Sequence, residues 1–435
     1  MDNKTDRTND TTSPVTDAEL STLEVMEDGN HGDYADGGLY DEELSTIGIG
    51  ILITSAKVLH TAGPGGAILA YLLTGTVAWS VIASLGEMTA LMPVKAPIAE
   101  FASRYNFPPD SETRFSYVAA FAALITASSS LIHFNYDDAI QWKAGINYSP
   151  VIWIFIFLVY SILINLLPVR FYAEYEYVCG CLKITAIAAL VLLMVIITNG
   201  TDRSPYIGTK LTAHGETLVY TGDKGRLLSM WSAMTLTIWS YLGMDIVSVT
   251  AAETKNYGDP ESIKMATRKI SLRILLLYFF CIVVISFAVP YDDPHLLKTN
   301  NGYKSGASSP FMIAVVNAGI PTLPHIINAF FIFSASSAGI NSLYVTSRTL
   351  HAMAVEGRVM NGFITRRLKR TTYGVPMYAV FASAAFGLLP FMSTKTAPSQ
   401  VLSGLIDNSS VSLMVVYWVI CVTYLCFYFQ YSILI

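Results

Sequence analysis

The sequence predicts an all-α polytopic membrane protein, on three observations. Charged residues make up 14% of the 435, against about 25% in a soluble domain. Hydrophobic residues make up 53%, and the mean hydropathy is +0.47. The apolar residues gather in runs close to the ~20 that a helix needs to cross a bilayer. This pattern excludes a soluble single-core enzyme, a disordered or collagen-like chain, and a small disulfide-stapled domain.

The elements follow in order. Residues 1–46 hold thirteen Asp/Glu and only two Lys/Arg, with no apolar periodicity. Such a segment cannot bury enough surface to offset its ordering entropy, and it reads as an acidic disordered cytoplasmic tail. It has neither the basic start nor the apolar centre of a secretory signal. The membrane domain is 47–435. It opens with a short apolar piece, Ile47–Leu59. Nine longer candidates follow near 67–92, 115–134, 150–167, 177–198, 229–250, 271–290, 322–347, 376–394 and 402–430. With the short piece there are ten spans. Residues 310–319, flanked by Pro310 and Gly319, read as a short helix in a loop.

With the N-terminus in the cytoplasm, cytoplasmic loops hold fifteen Lys/Arg and outer loops nine. The positive-inside rule favours this orientation, most strongly in the loops 255–273 and 348–370. The five Cys all lie in apolar runs, with no zinc spacing and no disulfide framework. Asn147 and Asn199 head glycosylation sequons in predicted outer loops. No Walker loop, H-E-x-x-H or G-x-S-x-G motif is present, so no enzyme constellation stands out.

The informative features are glycines and charges at membrane depth. Gly48 and Gly50, in Ile47-Gly48-Ile49-Gly50, weaken a helix near its start. A broken helix exposes backbone N–H groups that suit a carboxylate; close helix packing is the other reading. Ser240-Tyr241-Leu242-Gly243-Met244-Asp245 puts a glycine and an acid inside a span. Unwound carbonyls there would accept from an ammonium; a simple kink is the other reading. Lys183 lies in the apolar run Cys179–Ile197. It either carries a coupling proton or snorkels to the interface. Glu87 ends the 67–92 span and Glu253 ends the 229–250 span. Each reads as a cap, an interfacial partner or a proton site.

Several stretches together resemble the fungal-type amino acid permeases of the amino acid–polyamine–organocation superfamily. They are "IGIGILI…AGPGGAILAYLLTGTVAWSVIASLGEM" (47–88), "INLLPVRFYAEYEYVCGCLKI" (164–184), "VTAAETKN" (249–256), "VPYDDPHLL" (289–297), "SPFMIAVVNAGIPTLPHIINA" (309–329), "SAGINSLYVTSRTLHAMAVEGR" (337–358) and "YGVP" (373–376). The resemblance implies a LeuT-like 5+5 inverted-repeat helix bundle with broken helices 1 and 6. Spans one to five would occupy 47–198 and spans six to ten 229–430. The family's I-G-T-G carboxylate site maps onto Gly48, Ile49 and Gly50. Its helix-six break maps onto Trp239, Ser240, Tyr241, Gly243 and Asp245. The proton-coupling lysine of related members maps onto Lys183, with Ser334, Ser336 and Ser337 as candidate neighbours. Glu87, from its place at the end of a span, is the weaker coupling candidate.

Departures from the family accompany the match. Ile49 replaces a threonine, and Asp245 stands where glutamate is usual. Residues 105–150 match poorly and look shortened in the third helix. The chain reads as truncated at both ends, lacking a half-helix before Ile47 and two helices after Ile435. The expected function is proton-coupled import of an L-amino acid across the plasma membrane by alternating access. The alternatives are a non-transporting amino acid sensor or an inactive truncated permease. "PVRFYAEYEY", "LPHIINA" and Asp245 lean toward basic substrates. The expected partners are the substrate and the lipid bilayer. No cofactor, metal or nucleic acid is implied; the proton gradient is the driving force.

Overall fold

A computed structural model of the chain describes residues 49–92, 97–104, 111–136, 140–199, 222–246, 260–296, 306–320, 322–355, 357, 362–372, 374–394 and 398–434. The tail, Gly48 and Glu253 lie outside the described residues. Helix α1 (Gly50–Leu91) has 42 residues. At 1.5 Å per residue that is about 63 Å, twice the hydrocarbon thickness. It consists of two arms that meet at Gly63, where φ is 68° and ψ 178°. Pro64 causes the turn: it lacks an N–H and disfavours helix in the residue before it. The short apolar piece and the first full span are therefore one two-armed element.

Helix α2 (Pro97–Arg104) is short. Helix α3 (Ser111–Ile132) has 22 residues, about 33 Å, so the third crossing is of spanning length. Its apolar part begins only at Ser116, and the polar turn before it hides its length in sequence. A two-residue hairpin follows, with Asn135–Tyr136 antiparallel to Ile140–Gln141, and then α4 (Lys143–Asn147). Helix α5 (Pro150–Asn165) starts at a Ser149 cap with proline in its first turn, where a missing N–H costs nothing. Helix α6 (Val169–Thr198) begins eight residues before the predicted start at 177. Its first two turns carry Arg170, Glu174 and Glu176, which interrupt the apolar run without interrupting the helix.

The second half begins with α7 (Asp223–Ile238), which passes into a 3₁₀ turn at Trp239–Tyr241. Helices α8 (Pro260–Ala288), α9 (Pro310–Asn317), α10 (Leu323–Val355) and α11 (Gly362–Leu368) follow. The α9 segment is the short loop helix read from Pro310 and Gly319. Helix α12 (Met377–Ala384) tightens to 3₁₀ over Ala385–Thr394 around Pro390, and α13 (Pro398–Leu434) is the last helix. Counting the arms of α1 separately, the described residues supply five main helical segments in each half, and five helices are long and apolar enough to cross a membrane: α1, α6, α8, α10 and α13.

Two groups of helices can be distinguished. In the first, α1 packs on α7 and α8. In the second, α3, α5, α10 and α12 pack on one another. Helix α13 lies against both groups through α1 and α3, and α6 lies against α8, α9 and α10. Large apolar side chains also cover the outside: Phe155, Leu182, Leu192, Ile196, Trp418 and Phe429 are exposed. A helix apolar on both its inner and outer faces suits hydrocarbon surroundings. Asn147 and Asn199 are exposed, as their sequons require.

Candidate functional site

The start of α1 touches the break after α7 at Gly50 and Ser240. A Cβ placed on Gly50 would lie 2.6 Å from Ser240 Cα and 3.2 Å from its backbone nitrogen. The absence of a side chain there lets the start of α1 rest on the backbone after α7. Helix α7 ends at Ile238, Leu242 leaves helical geometry at ψ 133°, and Gly243 takes φ 99°. A left-handed φ is strained for side chains other than glycine, so Gly243 ends the helix here.

A run of hydroxyls ties this crossing together. Thr54 Oγ1 donates to the Gly50 carbonyl at 2.7 Å and lies 2.8 Å from Ser240 Oγ. Tyr71 Oη lies 3.1 Å from Ser240 Oγ. Each hydroxyl has one proton. The consistent direction is Tyr71 to Ser240 to Thr54 to the Gly50 carbonyl. Tyr241 Oη donates to the Tyr71 carbonyl at 2.8 Å, from the other side.

A cavity opens beside this crossing, with an empty volume of about 450 Å³ including its mouth. Ile49, Gly50, Trp239, Ser240, Leu242, Gly243 and Ile246 line it from the first group of helices. Tyr117 and Leu124 of α3, with Ala338, Asn341 and Ser342 of α10, line it from the second. None of these lining side chains is charged. Of the residues expected at the site, Ile49, Gly50, Trp239, Ser240 and Gly243 are placed together here. Gly48 lies outside the described residues.

Tyr241 and Asp245 sit behind the wall rather than on it. Both are buried, and neither lines the cavity. Asp245 Oδ1 accepts from the Tyr117 hydroxyl at 2.5 Å, while its Oδ2 is buried without a partner. Asp245 thus acts on the cavity through Tyr117, and this bond joins the two groups of helices.

Lys183 is fully buried on α6, and its Nζ has no hydrogen-bond partner. A fully buried Nζ is not snorkelling. Ser334, Ser336 and Ser337 are buried on α10. Ser336 and Ser337 bond carbonyls of their own helix, and Ser334 Oγ has no partner. Glu87 has an ion pair: Oε1 meets Arg268 of α8 at 2.8 Å, and Oε2 accepts from Tyr424 of α13 at 2.7 Å. Among the described residues no cluster of three His, Cys, Asp or Glu is placed to hold a metal.

Sequence reasoning missed Thr54, Tyr71, Tyr117, Glu176 and Asn341. Glu176 had a readable signal. It lies seven residues before Lys183, on the same helical face, but the apolar run was read as starting one residue later. The others are ordinary polar residues within apolar helices, and their spacing does not mark them.

The profile of the amino acid permease family matches residues 44–433. A lysine/arginine permease of Candida albicans is 29% identical over 391 residues, covering 88% of this chain and 65% of that protein. A probable lysine/arginine permease of the same yeast is 31% identical, covering 83% of this chain and 62% of that protein. A dicarboxylic amino acid permease of Saccharomyces cerevisiae is 28% identical, covering 88% and 62%. The chain therefore spans less than two thirds of the length of these relatives. Among solved structures, a mutant manganese transporter of Eremococcus coleocola superposes with a TM-score of 0.53 at 13% identity, covering 91% of this chain and 80% of that one. That likeness shows the fold, a LeuT-like bundle of helices. The start of α1 and the break after α7 meet at a cavity, and the family profile runs through nearly every helix: the chain belongs to the amino acid permease family.

Proposed function

We propose that the protein imports an L-amino acid together with protons, by alternating access from a cytoplasmic N-terminus in the plasma membrane. The observation that carries this reading is the Gly50–Ser240 crossing at the wall of a cavity shared by two groups of helices. The first-turn N–H groups near Ile49 and Gly50 lack intrahelical acceptors and suit a substrate carboxylate. The peptide groups of 239–243 have left the α-helical ladder, and their carbonyls suit the ammonium. Rocking α1, α7 and α8 against α3, α5, α10 and α12 would open the cavity to either side. Lys183 would carry the coupling proton, with Glu87 the second candidate.

The described lining is uncharged, which supports a side chain held by apolar and hydroxyl contacts. Asp245, the acid that leaned toward a basic substrate, is engaged with Tyr117 instead. The test is uptake of labelled leucine, lysine, arginine and glutamate into yeast cells lacking their own permeases. Uptake that rises as outside pH falls supports the proposal. Binding without uptake would move the reading to a sensor, and neither would move it to an inactive chain.

A further inference from the structure

We infer that Glu176 is a second proton-holding group of this transporter, and that its protonation sets what Asn341 presents to the cavity. The inference rests on the transport reading and deepens it. Glu176 and Lys183 share one face of α6, two turns or about 10.5 Å apart along the axis. They are 1% and 0% exposed. Glu176 Oε2 and Lys183 Nζ both lack a hydrogen-bond partner, yet each feels the other's charge. A buried charge is costly unless something balances it. Each of these groups is the other's balance.

The remaining oxygen reaches the cavity wall. Glu176 Oε1 accepts from Asn341 Nδ2 at 2.6 Å, and Tyr172 Oη donates to Asn341 Oδ1 at 2.9 Å. A carboxylate can only accept. While Glu176 is ionised, the Asn341 amide is therefore held with its NH₂ toward Glu176 and its oxygen toward Tyr172. Asn341 lines the cavity, so its second N–H is available there as a donor. A protonated Glu176 can donate instead. The amide can then turn over, taking the carboxyl O–H at Oδ1 and donating an N–H to the Tyr172 oxygen. The Glu176–Asn341 bond is kept in both orientations, the Tyr172 hydroxyl must turn its proton elsewhere in the second, and the proton on Glu176 selects between them.

Glu176 takes its proton from solvent as the pH falls: a hydronium O–H bond breaks, the carboxyl O–H bond forms, and the pair gains one unit of positive charge. The groups facing Glu176 on its own helix are Lys183 and the Cys179 thiol. On α10 it is the Asn341 amide; nearby, the Tyr172 ring stacks on Tyr344 at 4.1 Å and the Arg348 guanidinium lies 4.9 Å from the Tyr344 ring centre. Among the described residues, α8 and α9 place no group in hydrogen-bond contact with the carboxyl. Glu176 is a positioning residue in this scheme: it acts on substrate through Asn341.

The test is infrared difference spectroscopy of the purified full chain, titrated between neutral and acid pH without substrate. Wild type, E176Q, N341A and K183Q are compared, with wild type also labelled with ¹³C-glutamate. The expected result is a protonated-carboxyl band in wild type that moves with the label and is lost in E176Q. Its frequency shifts in N341A and its midpoint shifts in K183Q. If E176Q does not fold, the labelled wild type and N341A still report the band. A wild type with no such band, or a band untouched by N341A, overturns the inference. Leucine and arginine uptake is measured in parallel. The expected band without uptake sinks the transport reading alone. Uptake whose pH dependence survives in E176Q sinks the inference alone.

Discussion

Gly50 lies so close to Ser240 that a methyl group on it would stand 2.6 Å from the serine Cα. The obstacle is backbone, not a flexible side chain, so it cannot rotate away. We expect G50A to force the broken helices apart, costing about 1–3 kcal/mol and abolishing uptake. Thermal unfolding and uptake of the purified, reconstituted variant would check this. Wild-type behaviour in both would show that the crossing is looser than described.

Tyr117 holds Asp245 across the two groups of helices. Y117F removes the side-chain donor from a buried carboxylate, with an expected cost of about 1–3 kcal/mol. D245N, added to Y117F, removes the charge and should recover part of that loss. Denaturant unfolding of both single variants and the double variant would measure the coupling. A neutral Y117F would argue against the tie.

The hydroxyl run predicts a coupled set. S240A and T54A should each cost about 1 kcal/mol. Their double variant should cost less than the sum by at least ~0.5 kcal/mol, since either change interrupts the same run. Strict additivity in the stability cycle would mean that the two hydroxyls act separately.

The pair of Glu87 and Arg268 is partly exposed, with side chains 33% and 54% accessible. Such pairs contribute about 0–1 kcal/mol and weaken with salt. We expect R268Q to lower stability by no more than ~1 kcal/mol at low salt, and the difference to shrink at high salt. A larger, salt-independent loss would place this pair in a drier setting.

Much of the fold was legible in the chain because hydrocarbon imposes a simple rule. Each crossing must be apolar, about 20 residues long and internally hydrogen-bonded. The positions near 67–92, 150–167 and 402–430 therefore correspond closely to helices. The break before Gly243 was also visible, because glycine acts on the backbone locally, whereas the turn inside α1 falls at Gly63-Pro64, which the sequence reading did not single out. Helix ends were less visible. Glu174 and Glu176 broke the apolar run without breaking α6, and the polar first turn of α3 hid its length.

The candidate site divides in the same way. Gly50 was readable near a helix start and Trp239, Ser240 and Gly243 as a place where a helix stops, and all four line the cavity. The order of residues was enough for the membrane class, many of the helices, the break before Gly243 and the intramembrane charges. These follow from hydropathy, chain length and local backbone strain. The partners came from three-dimensional packing. It turned Asp245 onto Tyr117 and away from the cavity, joined Glu87 to Arg268, and connected Glu176 to Asn341. The reason is geometric. A buried polar group is satisfied by whatever side chain packing brings within about 3 Å, and these partners lie 128 to 181 residues away in sequence.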